Sequence, residues 1–161
     1  MSPIPAGKPV PEQEEEEPQT QTEPVLQALE QNPSMMSHVS IGTDHLDRAV
    51  AFYDTVFATI GVKRVLEHAG AVAYGKQYPE FWVQAPHDGR PASVGNGTHF
   101  GFLAESRAQV DAFYAVAIAA GATGDGAPGP RPHYGVAYYG CFVRDLDGYK
   151  IEAMLLVGAD G

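Results

Sequence analysis

The chain has 161 residues, 44% of them hydrophobic, and carries a formal net charge of −10 with a pI near 4.8. This length suits one domain with a buried core. The acidic balance argues against a nucleic-acid partner, because binding to phosphates depends on clustered Lys and Arg. No apolar run reaches transmembrane length, and the N-terminus lacks a secretory signal pattern. We expect a cytoplasmic protein with a small-molecule ligand and no membrane partner.

Residues 1–35 are predicted to be a disordered acidic leader ahead of a domain over residues 36–161. The leader is rich in Pro, Glu and Gln and has few apolar residues that could offset the entropy cost of folding. A short helix over Pro24–Gln31 that docks on the domain is an alternative, but we favour a solvated leader. The single cysteine, Cys141, lies in an apolar run and is predicted to be a buried, inert thiol.

After the leader, the pattern predicts a strand, a helix and three strands, and this order occurs twice. Strands show alternation and helices show apolar residues at helical spacing. The first unit comprises a strand over 37–43, a helix from Leu46 to Ile60, and strands Lys63–Glu67, Ala71–Gly75 and Glu80–Gln84. The second comprises a strand over 98–104, a helix over Val110–Ala120 capped by Ser106, and strands Ala122–Gly126, Val136–Val143 and Lys150–Leu156.

The predicted fold class is therefore α+β, with two tandem βαβββ modules that form a curved, mixed β-sheet cup and helices on its outer face. Asp147-Gly148 predicts a hairpin between the last two strands. The Pro- and Gly-rich stretch over residues 126–132 predicts a loop at the edge of a binding site.

Three residues with metal-binding side chains fall on corresponding strand faces. Since neighbouring side chains of a strand point to opposite sides, His38, His99 and Glu152 are expected on the sides away from the helices. Two imidazoles and a carboxylate leave coordination positions open for a substrate on a divalent cation. Such a cation polarises a carbonyl or stabilises an enediolate. We predict that these three side chains bind one metal ion.

Three segments carry a family resemblance: HVSIGTDHLDRAVAFYDTVFATIG, GNGTHFGF and VRDLDGYKIEAM resemble the vicinal oxygen chelate superfamily, also called the glyoxalase/bleomycin-resistance/dioxygenase family. The likeness covers essentially everything after the leader, and is closest to short bacterial glyoxalase-like proteins. It implies that His38, His99 and Glu152 hold one divalent ion, which can be Zn, Ni, Mn, Co or Fe. It also implies a homodimer with sites near the interface, while the chain origin of each ligand stays open.

A resemblance to true glyoxalase I would require a carboxylate on the predicted strand EFWVQAP as a fourth metal ligand. The strand departs from that pattern. Glu80 is expected to lie too near the strand edge, which leaves Trp82 and Gln84 facing the cup. We predict that the substrate contacts Trp82, Gln84, His133 and Tyr139. Core packing is the alternative for Trp82, and a solvated surface position is the alternative for Gln84 and His133. Only one of Tyr138 and Tyr139 can face the cup. No function is assigned to His45, His68 or His87, and catalytic residues stay unassigned.

Two classes of function follow from these residues and from the resemblance. The first is a divalent-metal-dependent glyoxalase- or lyase-like enzyme, whose small oxygenated substrate chelates the metal through two oxygens. An extradiol-type dioxygenase is an alternative within the enzyme class, because two His and one Glu also resemble its iron site. The second class is a non-catalytic protein that binds a small molecule, such as an antibiotic, in an aromatic cleft. The complete set of ligand-type residues favours the enzyme.

Overall fold

A computed structural model describes residues 34–134 and 137–156 of the chain, so residues 1–33 of the predicted leader, with its alternative helix, lie outside the described residues. The elements follow the predicted order. In the first module they are β1 (Val39–Gly42), α1 (Leu46–Ala58), β2 (Lys63–His68), β3 (Ala71–Gly75) and β4 (Phe81–Gln84). In the second they are β5 (His99–Leu103), α2 (Arg107–Ala119), β6 (Thr123–Pro130), a 3₁₀ turn (Pro132–Tyr134), β7 (Tyr138–Arg144) and β8 (Lys150–Leu156).

Both helices end where glycine permits a left-handed backbone. Gly61 has a φ of 72° after α1, and Gly121 has a φ of 101° after α2. At the start of α2, the Ser106 hydroxyl accepts a hydrogen bond from the Gln109 amide at 3.2 Å, as predicted. None of the helices in the described ranges is long and apolar enough to cross a membrane.

The two modules form two four-stranded mixed sheets of the same topology. The strand orders are β1-β4-β3-β2 and β5-β8-β7-β6. In each sheet the first and last strands of the module pair in parallel, β1 with β4 and β5 with β8, and the other neighbours are antiparallel. This repeated topology confirms the predicted α+β fold of two βαβββ modules.

Most of the Pro- and Gly-rich stretch is strand rather than the predicted loop. β6 continues to Pro130, with register shifts on either side of Gly126. It lies at the edge of its sheet, and an edge strand tolerates proline because one side of its backbone needs no partner within the sheet. The composition therefore identified the edge of the sheet, but not its secondary structure.

An aromatic core joins the two modules on the helix side of both sheets. Phe57 of α1 is fully buried, and its ring centroid lies 4.8 Å from that of Phe102 on β5. Phe81 of β4 lies 5.4 Å from Phe100 and 5.3 Å from Phe102. Rings at these separations bury large apolar areas and prefer such tilted contacts. The opposite faces of the sheets are thus left for the candidate site.

Polar contacts also cross between the modules. The buried Tyr53 hydroxyl of α1 donates to the Asp145 carboxylate at 2.6 Å. The Tyr149 hydroxyl accepts from the Gly42 amide at 3.2 Å and lies 3.0 Å from the Gly42 carbonyl oxygen. These bonds link α1 and the end of β1 to the hairpin before β8. They therefore help to fix β1, which follows His38, relative to β8, which carries Glu152.

Candidate metal centre

His99 and Glu152 form a close pair on the face of the second sheet that is turned away from the helices. The His99 Nε2 atom lies 2.9 Å from Glu152 Oε2, and the side chains are 36% and 12% exposed. β5 and β8 pair in parallel, with Gly101 directly opposite Glu152. The intervening Phe100 and Ile151 side chains pack on the core side. Strand alternation therefore brings together two of the three predicted ligands, within reach of solvent.

Gly101 leaves the space beside the Glu152 carboxylate open. A Cβ atom at this position would lie 3.5 Å from Glu152 Oε2, so a longer side chain would occupy the space in front of the carboxylate. A glycine within a strand often marks a place where a ligand approaches closely. The open space is where a cation that contacts both His99 and Glu152 would fit.

Tyr138 completes the surroundings of the Glu152 carboxylate. Its hydroxyl donates a hydrogen bond to Glu152 Oε1, the oxygen that does not face His99. Burial, together with this bond, raises the pKa of Tyr138, so that the phenol stays protonated. Gly140, two residues along β7, makes this contact possible, because a Cβ there would lie 2.3 Å from the Tyr138 hydroxyl oxygen. Tyr138 is thus held as a hydrogen-bond donor to a predicted metal ligand.

His38, the third predicted ligand, lies immediately before β1 in the first module. Its Nδ1 atom is 3.0 Å from the Ser37 hydroxyl, which leaves Nε2 for another partner. His38 and His99 line one groove of about 530 Å³, together with Glu80. In residues 34–134 and 137–156, however, no three His, Cys, Asp or Glu side chains lie close enough together to hold a metal ion. A single chain therefore brings together His99 and Glu152, but not His38.

The internal repeat identifies which residue of the first module corresponds to Glu152. Val39 pairs with Phe81 in the first module as Phe100 pairs with Ile151 in the second. His38 and His99 immediately precede Val39 and Phe100. Trp82 and Glu152 immediately follow Phe81 and Ile151. Trp82 thus occupies the position that corresponds to Glu152 of the second module, where a fourth, carboxylate ligand would stand. Its indole N–H can only donate a hydrogen bond.

Trp82 contacts two histidines on the face of the first sheet that is turned away from the helices. Its ring is stacked on His68 at 5.9 Å with an interplanar angle of 7°, and it meets His38 edge-on at 6.5 Å. Gln84, two residues further along β4, pairs with Ala71 of β3, and Ala71 pairs in turn with His68 of β2. His68, to which the sequence assigned no role, therefore shares a face with Trp82, Gln84 and His38.

The remaining predicted substrate contacts divide between the two sides of the second sheet. Exposed His133 lies in the 3₁₀ turn, and its ring is 4.3 Å from that of Tyr134, which in turn contacts Tyr138 at 5.2 Å. Tyr139 lies on the helix side, where its hydroxyl donates to Asp111 of α2 at 2.8 Å. Of the two neighbouring tyrosines, Tyr138 is thus the one beside Glu152.

The donor set is suitable for a divalent transition-metal ion. Imidazole nitrogen and carboxylate oxygen are ligands that Zn, Ni, Mn, Co and Fe share, and a ligating carboxylate is commonly oriented by a further hydrogen bond. His99, Glu152 and the Tyr138 hydroxyl provide these groups, and Gly101 leaves room for the ion. His38, in the other module, would supply the third ligand.

Comparison with known proteins agrees with this fold. A model of the Glyoxalase/Bleomycin resistance protein/Dioxygenase superfamily matches residues 35–153. The chain belongs to this superfamily. A search of curated proteins finds no match.

Solved structures of the superfamily share this fold. A glyoxalase/bleomycin resistance protein from Albidiferax ferrireducens T118 is 36% identical with a TM-score of 0.68, and the match covers 76% of this chain and 98% of that chain. A lactoylglutathione lyase from Agrobacterium tumefaciens is 25% identical with a TM-score of 0.55, covering 78% and 95% respectively. A superfamily enzyme from Burkholderia phytofirmans PsJN, 22% identical with a TM-score of 0.61, covers 75% and 98% and shares the fold.

Two features of the centre were missed from the sequence, although a signal for each was present. Tyr138 and Gly140 lie on the same face of β7 as Phe142, and Phe142 pairs directly with Glu152 of β8. A large residue two positions before a glycine can lean over that glycine, and the Tyr-x-Gly spacing was visible in the sequence. The choice of Tyr139 instead of Tyr138 depended on the assumed phase of alternation along β7. A shift of one residue in that phase moves each side chain to the other face of the strand.

Proposed function

We propose that this protein is a divalent-metal enzyme of the glyoxalase or lyase type that acts on a small oxygenated substrate. The substrate would chelate the ion through two adjacent oxygens. His38, His99 and Glu152 would hold one Zn, Ni, Mn, Co or Fe ion, which supplies Lewis acidity toward the substrate. The observation that carries this proposal is the His99–Glu152 pair, beside an open glycine and a hydroxyl donor.

We further propose that each site is shared by two chains of a homodimer. His38 lies on the face of the first sheet that is turned away from the helices, and His99 and Glu152 lie on the corresponding face of the second sheet. The modules are joined through the helix-side faces. β1 and β5, next to these histidines, are both edge strands in their sheets. A twofold axis would bring the first module of one chain to the second module of its partner, and would create two equivalent sites.

The side chains around the centre have separable roles in this proposal. Tyr138 would orient Glu152 through its hydrogen bond, so that one carboxylate oxygen stays directed toward the ion. Trp82 would form an apolar wall where a fourth ligand would otherwise stand, and would leave more positions open for substrate. Gln84 and His133 would contact the substrate beyond the ligands. Cys141 is buried and free, with a pKa raised by burial to about 11, which suits an inert thiol in a reducing cytoplasm.

A second enzyme class is supported by the tryptophan at the fourth position. With Trp82 in place of a carboxylate, the ligand set is two His and one Glu, which is the set of non-haem Fe(II) oxygenases. An extradiol-type dioxygenase is therefore the second candidate. A non-catalytic binding protein would not need the ligand set, and is the alternative if no metal binds.

Metal analysis of protein purified without chelators tests the proposal. We expect about one divalent ion per chain, since a dimer has one site for each of its two chains. Turnover of α-oxoaldehyde hemithioacetals would support the glyoxalase type, and oxygen consumption with catechols would support the dioxygenase. Failure to bind Zn, Ni, Mn, Co or Fe, both as purified and after addition, would contradict both enzyme classes and favour the binding protein.

A further inference from the structure

Three cationic side chains gather beside the His99–Glu152 pair, in a chain with ten Lys and Arg and a net charge of −10. The Lys150 ammonium lies 4.8 Å from the centre of the Phe142 ring, and the Arg131 guanidinium lies 5.6 Å from the same centre. Lys150 and Arg144 share one carboxylate, Asp125, at 3.4 and 3.0 Å. Three positive charges and one negative charge leave this cluster with a charge of +2.

The strand register explains why this cluster stands at the candidate metal centre. Lys150 is directly opposite His99 on the neighbouring strand, and Phe142 is directly opposite Glu152. Phe142 itself lies 5.7 Å from His99. The negative face of an aromatic ring attracts cations, so Phe142 stabilises two like charges close together, which would otherwise repel each other.

A polar groove connects the cluster to His99. It has a volume of about 480 Å³ and is lined by His99, Lys150, Arg144 and the loop over residues 94–98. The loop contributes the side chains of Asn96 and Thr98, which are hydrogen-bonding groups. The Lys150 side chain is 28% exposed, so its charge reaches the groove instead of being fully covered by protein. The groove therefore offers cations and hydrogen-bond donors to a ligand bound next to His99.

We propose that this groove binds an anionic group of the substrate, a carboxylate above all, while the rest of the substrate lies at the His99–Glu152 centre. This inference adds a substrate class to the proposed function: a chelating molecule that carries a carboxylate. Complementary charge both attracts such a molecule into the groove and sets its orientation. Lys150 is the main recognition residue because it belongs to the groove and lies opposite His99.

The test compares two probes that have the same chelating group and differ by one carboxylate, catechol and 3,4-dihydroxybenzoate. Their affinities are measured by calorimetry for the full chain, with and without bound metal. We expect 3,4-dihydroxybenzoate to bind about tenfold more tightly than catechol in both states, because a hydrogen bond between charged groups is worth that much. Raising the salt concentration should reduce this preference.

Single substitutions identify which side chains cause the preference for 3,4-dihydroxybenzoate over catechol. Lys150→Gln should reduce the preference to about twofold or less, and Arg144→Gln should reduce it partly. The matched control is Arg107→Gln, which removes a cation that lies over Tyr139 on the helix side, and should leave the preference unchanged. Metal content, measured on the same samples, reports separately on the proposed function. If the metal-free protein does not distinguish the probes, or if Arg107→Gln abolishes the preference as Lys150→Gln does, the groove is not an anion site.

Discussion

Replacement of His99 by alanine is expected to reduce metal content from about one ion per chain to a trace. His99 and Glu152 are the two predicted ligands that contact each other directly in the described part of the chain, through His99 Nε2 and Glu152 Oε2. Loss of a residue that merely orients a ligand already weakens metal affinity about 10- to 100-fold. Loss of the ligand itself should therefore weaken it by more than about 100-fold. Elemental analysis and a competition titration with a chromophoric chelator measure the change.

The control for this substitution is His87→Ala, since His87 is an exposed imidazole in the loop after β4. Its metal content should equal that of the wild type. Circular dichroism of both variants should match the wild type, because neither side chain belongs to the aromatic core. Metal content that His99→Ala leaves unchanged would remove His99 from the ligand set, whatever the reaction.

Replacement of Phe57 by alanine should produce the largest loss of stability of any single change considered. Its fully buried ring contacts Tyr53 and Tyr74 within its own module and Phe102 in the other module, with centroid distances of 5.0, 5.2 and 4.8 Å. Truncation of such a ring costs about 3–5 kcal/mol, through lost burial and the cavity that remains. That is a large part of the ~5–15 kcal/mol that stabilises a typical domain.

Urea unfolding, followed by tryptophan fluorescence and by circular dichroism, measures this loss. Ile118→Ala is the control, because Ile118 is an apolar helical residue that is 39% exposed, and its truncation should change the free energy of unfolding by less than about 0.5 kcal/mol. We expect a single transition in the wild type, since one aromatic core joins both modules. A loss below about 1 kcal/mol for Phe57→Ala, or two separate transitions in the wild type, would contradict this account of the core.

Much of the fold could be predicted because local patterns repeat within the sequence. Apolar residues at helical spacing, with a serine cap or a following glycine, identified both helices, although α1 ends at Ala58 and Ile60 lies beyond it. Alternation identified the strands and their faces. The edge strand β6 was harder, because its Gly and Pro residues oppose strand formation locally and only pairing with β7 overrides them.

The candidate site was predictable only as far as strand alternation extends. Alternation put His99 and Glu152 on one face, and the structure brings them into contact. The choice between Tyr138 and Tyr139 depended on the exact phase of β7, which alternation could not fix beside a glycine. The correspondence of Trp82 with Glu152 required the register of both parallel strand pairs, which is a tertiary property. Whether His38 joins the pair in the same chain or in a partner depends on how two chains meet.

Metal content of a mixed dimer tests most directly whether His38, His99 and Glu152 form one shared site. Chains that carry His38→Ala and chains that carry His99→Ala, each with a different affinity tag, are co-expressed, and the dimers with both tags are isolated. Each variant alone should bind no stoichiometric metal. The mixed dimer should bind one ion per two chains, because one of its sites combines an intact His38 with an intact His99 and Glu152 from the other chain. A mixed dimer without metal, or a full ion per chain in either variant alone, would contradict the shared site.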